Sequence, residues 1–216
     1  MDVLAILTAL AAWGIVLLIS SLTTSLVAQV GKVKSDFILG VVIQVLYILL
    51  SLIVAGLTGN LSRLGLSLNA SLSLIGLFVA VAVGLPLAFA ASKLGGDYRP
   101  SFFPENFREK LILALIFAPL GEEILFRGLL EGMLLTSLDL WSAVVIPALL
   151  FSMVHAIPFS DSPRPFLLSL LMSALILGLL AGYLRAVSNS LLPAIAVHVG
   201  FNLAGNLVDW LQEGKG

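Results

Sequence analysis

Hydrophobic residues fall in seven long blocks, at residues 3–27, 37–57, 72–91, 111–135, 140–157, 166–184 and 191–208, with polar links between them. About 20 apolar residues is the length a helix needs to cross the hydrocarbon core of a bilayer. Each block is therefore read as a membrane span. The expected fold is all-α, a polytopic transmembrane bundle of about seven spans forming one integral membrane domain over residues 1–216. Residues 1–110 hold three spans and a connector, and residues 111–208 form a core with polar residues set into its spans. Residues 61–71 read as an interfacial loop or short helix, and Pro86 is expected to bend the third span. The connector over residues 93–110 is rich in Gly, Pro and Phe, and its Phe102 and Phe103 suit a membrane–water interface. Gly178 and Gly182 have the spacing of a small-xxx-small helix contact.

Composition agrees with the pattern. Hydrophobic residues make up 60% of the chain and charged residues 11%, with a mean hydropathy of +1.14. Soluble domains carry about 25% charge. A net charge of −1 without a basic patch argues against nucleic acid as a partner. The chain has no cysteine, which excludes disulfides, thiolate metal sites and a cysteine nucleophile. The start, Met-Asp-Val-Leu-Ala-Ile, lacks a basic n-region and reads as a retained span instead of a cleaved signal peptide. Links after odd-numbered spans carry Lys32, Lys34, Lys93, Arg99, Arg108, Lys110, Arg164 and Lys215, while those after even-numbered spans carry Arg63 and Arg185. Positive residues stay cytoplasmic, so the N-terminus is expected outside and the C-terminus in the cytoplasm.

Charge inside a span demands a reason, because an ionised group at the bilayer centre costs roughly 2.5–3.5 kcal/mol or more. The fourth block nevertheless carries Glu122, Glu123 and Arg127. Glu123 and Arg127 stand i,i+4 with the acid on the N-terminal side, the favourable orientation for an ion pair within a helix. Glu122 lies on another face without a local basic partner. One glutamate reads as structural and the other as free. Both histidines of the chain lie in or at the end of apolar blocks, His155 closing the fifth and His198 inside the seventh. A lone buried histidine is usually a satisfied core residue, but two of them beside an unpaired glutamate point to a site.

Asn202 is i+4 from His198 and shares its helix face. This pair can bridge helices or stabilise an oxyanion. Pro119 leaves the carbonyl of Leu115 without its helical partner, which favours a small wet cavity near Glu122. Phe151, four residues before His155, reads as packing.

Taken together, Glu122-Glu123-x-x-x-Arg127, Phe151-x-x-x-His155 and His198-x-x-x-Asn202 resemble the three motifs of the CPBP (CAAX protease and bacteriocin-processing, or Abi) intramembrane endopeptidases, relatives of the type II CAAX prenyl endopeptidase. The resemblance implies a membrane-embedded endopeptidase acting on a membrane-associated, in some members prenylated, protein or peptide. It implies that Glu122 and His155 activate the attacking water, that His198 and Asn202 hold the oxyanion, and that Glu123 and Arg127 support the site.

The residues also rule out other chemistries. Neither histidine has an acidic orienting partner beyond the Glu pair, so no Ser-His-Asp set is visible. Every lysine lies in a link or the tail, which leaves no Ser-Lys dyad, and no aspartate falls inside a span to make an aspartyl pair. Two readings compete with proteolysis. In a proton- or cation-coupled transporter, Glu122 would relay a proton or coordinate an ion; in a non-catalytic immunity or scaffold protein, the cluster would only hold helices together. Metal is the remaining question. The CPBP family is commonly called metalloprotease, and Glu122, His155 and His198 would be the ligand set for zinc. The histidines come from separate helices, however, and a metal-free mechanism uses each residue once. The metal-free reading is preferred.

Overall fold

The computed structural model describes residues 2–95, 98, 100 and 103–213. Expectations attached to Arg99, Phe102 and Lys215 lie outside the described residues. Among the described residues seven continuous helices form: α1 (Val3–Gln29), α2 (Asp36–Leu57), α3 (Ala70–Gly95), α4 (residues 107–134), α5 (Leu140–Val154), α6 (Arg164–Ser188) and α7 (Leu191–Glu213). Their starts follow local chemistry. The side chains of Asp2, Ser35, Asn106 and Asp139 accept from the first free backbone N–H groups of α1, α2, α4 and α5. Asn189, in the left-handed region at φ 49°, ends α6. Residues 61–64 make a single 3-10 turn.

α4 is the centre of the bundle. It packs against α1, α2, α5, α6 and α7, and every residue from Glu123 to Leu134 is buried. A helix enclosed all round has no solvent face on which to place charge. α3 and α7 meet through small residues. A Cβ added at Gly200 would lie 2.6 Å from the Cβ of Ala80, and one at Gly84 would lie 3.0 Å from the Cβ of Ala204. Such close backbone approach is how helices gain packing where lipid offers no hydrophobic driving force. The outward faces of α1, α2 and α3 expose large apolar side chains, among them Leu4, Leu18, Ile53 and Phe78, as a lipid-facing surface requires.

Among the described residues five helices are long and apolar enough to cross a membrane: α1, α2, α3, α6 and α7. The multi-pass membrane character expected from the pattern is thus present. Helix α5 departs from expectation. It has 15 residues, a rise of about 22 Å, against a hydrocarbon core of about 30 Å. The apolar block runs on to Ile157, but the chain leaves the helix at His155 and continues in turns to Ser162. Non-helical backbone at membrane depth survives only where protein buries it or a cavity borders it. His155 is carried on that break.

Five lysines and arginines expected in links stand in helices instead. Arg185 belongs to α6 and is buried, so it is no loop charge. Lys93, Arg108, Lys110 and Arg164 lie in end turns of α3, α4 and α6 and not in links. α7 extends five residues past the apolar block and carries Asp209, which pairs with Lys110 at 2.9 Å. Pro86 sits within α3, which runs on through it.

Candidate active site

The site begins with the hydrogen-bond register of α4. Residues 113–117 and 124–131 are π-helical, and the α-helical stretch between them, Ala118–Glu123, ends on the Glu pair. π segments are rare and collect at functional sites. In this register the N–H of Ala118 bonds to Leu113 O, five residues back. The next N–H would meet Ala114 O, but residue 119 is proline and has none. The carbonyl left without a helical partner is therefore that of Ala114 and not, as α-helical geometry predicts, that of Leu115. Asn202 of α7 fills the gap, its Nδ2 donating to Ala114 O at 2.7 Å.

Glu123 and Arg127 form the expected pair. Arg127 Nη1 donates to Glu123 Oε1 at 3.0 Å, and both side chains are 0% exposed. The same Oε1 also accepts from His198 Nδ1 at 2.8 Å. Glu123 is thus the orienting partner of His198, a contact between α4 and α7 that helical spacing cannot reveal. It turns Nε2 of His198 toward Glu122, 3.8 Å from Oε2.

Glu122 is not without partners either. Gln44 of α2 donates from Nε2 to Glu122 Oε1 at 3.0 Å. The Glu122 side chain keeps 18% of its surface exposed, against 4% for His198. The division into a structural and a free glutamate therefore becomes a division between a sealed carboxylate and a reachable one.

Phe151 organises the remaining members. Its ring lies 4.6 Å from that of His155, 5.7 Å from that of His198 and 4.4 Å from the Arg127 guanidinium. A guanidinium over an aromatic face is a favourable cation–π contact. His155 Nδ1 donates to Phe151 O at 2.7 Å. A carbonyl can only accept, so the neutral ring has its lone pair on Nε2. Among the described residues His155 makes no hydrogen bond to Glu122.

Glu122, His155 and His198 are the residues expected to hold zinc if a metal is present. Among the described residues no three His, Cys, Asp or Glu side chains gather closely enough to hold one ion. The metalloprotease label is not supported.

The apolar pattern concealed two further groups. Glu131 lies on α4 one helical step beyond Arg127 and is 0% exposed. Arg185 Nε stands 4.0 Å from Glu131 Oε1, and Arg185 Nη2 donates to the carbonyl of Arg63. The spacing Glu123, Arg127, Glu131 at intervals of four was the available signal. The expected small-xxx-small contact on α6 serves this row of charge. A Cβ at Gly178 would come within 3.2 Å of Arg127 Nη2, and one at Gly182 within 2.8 Å of Glu131 Oε2.

Fold and site together define a class: an all-helical, multi-pass membrane protein with a glutamate–histidine–arginine cluster buried on its central helix. Residues 104–204, which contain all three motifs, match the family model described as type II CAAX prenyl endopeptidase Rce1-like. This is the family group the motifs resemble, and it is one of membrane proteases acting on membrane-associated proteins. No curated protein and no solved structure matches the chain.

Proposed function

We propose that the protein is an intramembrane endopeptidase that hydrolyses a peptide bond of a membrane-associated, in some cases prenylated, protein or peptide. The observation that carries this reading is the contrast at the Glu pair: Glu123 is sealed and doubly bonded, while adjacent Glu122 remains reachable beside His198. A base must be reachable by water, and its neighbours must already be placed.

Glu122 takes a proton from water while the water oxygen attacks the scissile carbonyl carbon. His155, with its Nε2 lone pair, helps to hold that water. Asn202 gives one Nδ2 hydrogen to Ala114 O, and its second hydrogen is available to the oxyanion. His198 joins as a donor when Nε2 also carries hydrogen, its Nδ1 being committed to Glu123. The carbon–nitrogen bond then breaks, and Glu122 returns its proton to the leaving amine. No step uses a metal. The proposed orientation has the N-terminus outside and the C-terminus in the cytoplasm, so a cysteine at Arg63 should be labelled from outside intact cells and one at Lys32 should not.

The test is a library of membrane-anchored peptides, with and without a prenyl group, incubated with purified protein in detergent and read by mass spectrometry. Cleavage by wild type, retained after a strong chelator and lost in Glu122→Gln, is expected. Equal cleavage by Glu122→Gln would overturn the assignment of the base. Loss on chelation, restored by stoichiometric zinc, would overturn the metal-free mechanism.

A further inference from the structure

The half of the chain that carries no motif supplies a partner for the proposed base. The buried residues of α2 are Gln44, Tyr47, Ser51 and Ala55, a single stripe at helical spacing, and α2 packs against the middle of α4. Gln44 meets Glu122 there, Nε2 to Oε1 at 3.0 Å. A carboxylate only accepts, which makes the amide nitrogen the donor.

The surroundings show that the contact is built and not incidental. Gly121 faces α2 at this point. A Cβ on it would lie 3.0 Å from Gln44 Cα and 2.8 Å from Gln44 O, and it would collide with the side-chain Oε1. The bare backbone at residue 121 is therefore what lets the amide reach across to residue 122. Gln44 is itself buried, and a primary amide inside an apolar helix costs free energy unless it is bonded. Its Oε1 makes no hydrogen bond within the protein, so the bond to Glu122 is the one that orients the amide.

We infer that Gln44 is a positioning residue for Glu122. By engaging Oε1 it fixes the plane of the carboxylate and leaves Oε2, the oxygen that faces His198 Nε2, to take the proton from water. The terminal torsion of a glutamate is otherwise broad. Misplacing a reacting group by about 1 Å costs up to roughly 10²-fold in rate. The inference rests on the reading of Glu122 as the base.

Wild type, Gln44→Met, Gly121→Ala and the double variant are compared on one membrane-anchored peptide, with turnover counted per folded molecule. Methionine keeps the length of the side chain and removes the N–H. Gln44→Met is expected to lower kcat by about 10- to 100-fold with KM unchanged. Gly121→Ala should lose at least as much, because its Cβ displaces the amide and also presses on the backbone of residue 44. The double variant should be no worse than the poorer single, because both remove one contact. Should Gln44→Met fail to fold, Gln44→Asn, whose amide stops one methylene short of Glu122, is expected to lose as much. Full kcat in the folded Gln44 variant overturns the positioning role and leaves the endopeptidase reading standing. Additive losses in the double variant overturn it too, since they report two unrelated packing defects. A wild type that cleaves no peptide overturns the endopeptidase reading, and this role falls with it.

Discussion

The two ends of the row of charge on α4 hold their carboxylates in opposite ways. At one end Glu123 accepts from Arg127 and from His198, and Glu122 accepts from Gln44. At the other end Glu131 is equally buried, yet neither of its oxygens makes a hydrogen bond among the described residues. Its partner Arg185 stands at 4.0 Å and spends its hydrogen bond on the carbonyl of Arg63. The first end is organised by direct bonds that aim particular atoms, Nε2 of His198 above all. The second gives its carboxylate only charge and burial, and the bond from Arg185 to the carbonyl of Arg63 fixes where α6 and the turn at residues 61–64 meet. Equal burial therefore does not imply equal purpose. What marks the end proposed to react is the number of bonds that decide orientation.

Removing one carboxylate at each end gives the largest expected effects and sharpens the contrast. Breaking a buried pair by deleting one partner costs about 3–5 kcal/mol, since the other charge stays buried. Glu123→Gln should therefore lose folded yield and, in the molecules that fold, should also lose cleavage, because His198 is no longer held. Glu131→Gln should lose comparable stability while turnover per folded molecule holds. Thermal denaturation and turnover per folded molecule, measured side by side, decide it. Equal loss of turnover in both variants would erase the distinction between the ends.

Asn202 lies next in size. Asn202→Ala removes the proposed oxyanion donor, at on the order of 10²–10³ in turnover. It also strands the carbonyl of Ala114, at about 1–3 kcal/mol of stability. If the side chain only bridges α7 to α4, stability falls and turnover of the folded fraction is unchanged. Loss of turnover at constant KM in the folded fraction separates the two.

A paired replacement should have a smaller effect. Swapping a buried ion pair for apolar residues of similar volume is often neutral or stabilising by about 1–4 kcal/mol. Glu131→Leu with Arg185→Met should therefore recover most of the stability that either change loses alone, with cleavage intact. The matching replacement of Glu123 and Arg127 should recover stability and leave the protein inactive. A far-end double variant that folds but does not cleave would show that Glu131 and Arg185 act on the site.

Much of this was legible in the chain. Seven apolar blocks became seven helices because a span leaves the backbone no alternative but to bond to itself. The i,i+4 pair of Glu123 and Arg127 formed because it needs nothing beyond one helix. The rest depended on contacts between helices. The bond from Glu123 to His198 joins residues 75 apart in sequence, and that from Gln44 to Glu122 joins residues 78 apart. Gln44 is a single polar residue in an apolar block, with no spacing that points to Glu122, and Glu131 lies among leucines. Arg185 resembled a loop charge because it lies near a helix end. The π register has no sequence signature of its own. It moved the carbonyl gap by one residue, from Leu115 to Ala114, and with it the partner of Asn202.

The smallest effect expected lies at the turn between α4 and α5, beyond the far end of the row, where charge is exposed and serves a single helix start. The hydroxyl of Ser142 donates to Asp139 at 2.7 Å, and the backbone N–H groups of Trp141 and Ser142 donate at 3.1 Å. These bonds, that from the Ser142 hydroxyl first, hold the Asp139 carboxyl below the usual carboxylate range. A carboxyl whose pKa is lowered by folding stabilises the folded state above its unfolded value, near 3.9, and loses that contribution as pH falls through the folded value. Asp139→Ala should therefore lower the Tm slightly and by a constant amount between about pH 5 and pH 7. The difference from wild type should shrink below about pH 4. Turnover per folded molecule should not change, since Asp139 caps α5 at the end opposite His155. A drop in turnover without a drop in Tm would show that α5 transmits the state of its first turn to His155, and the α4–α5 turn would then count as part of the site.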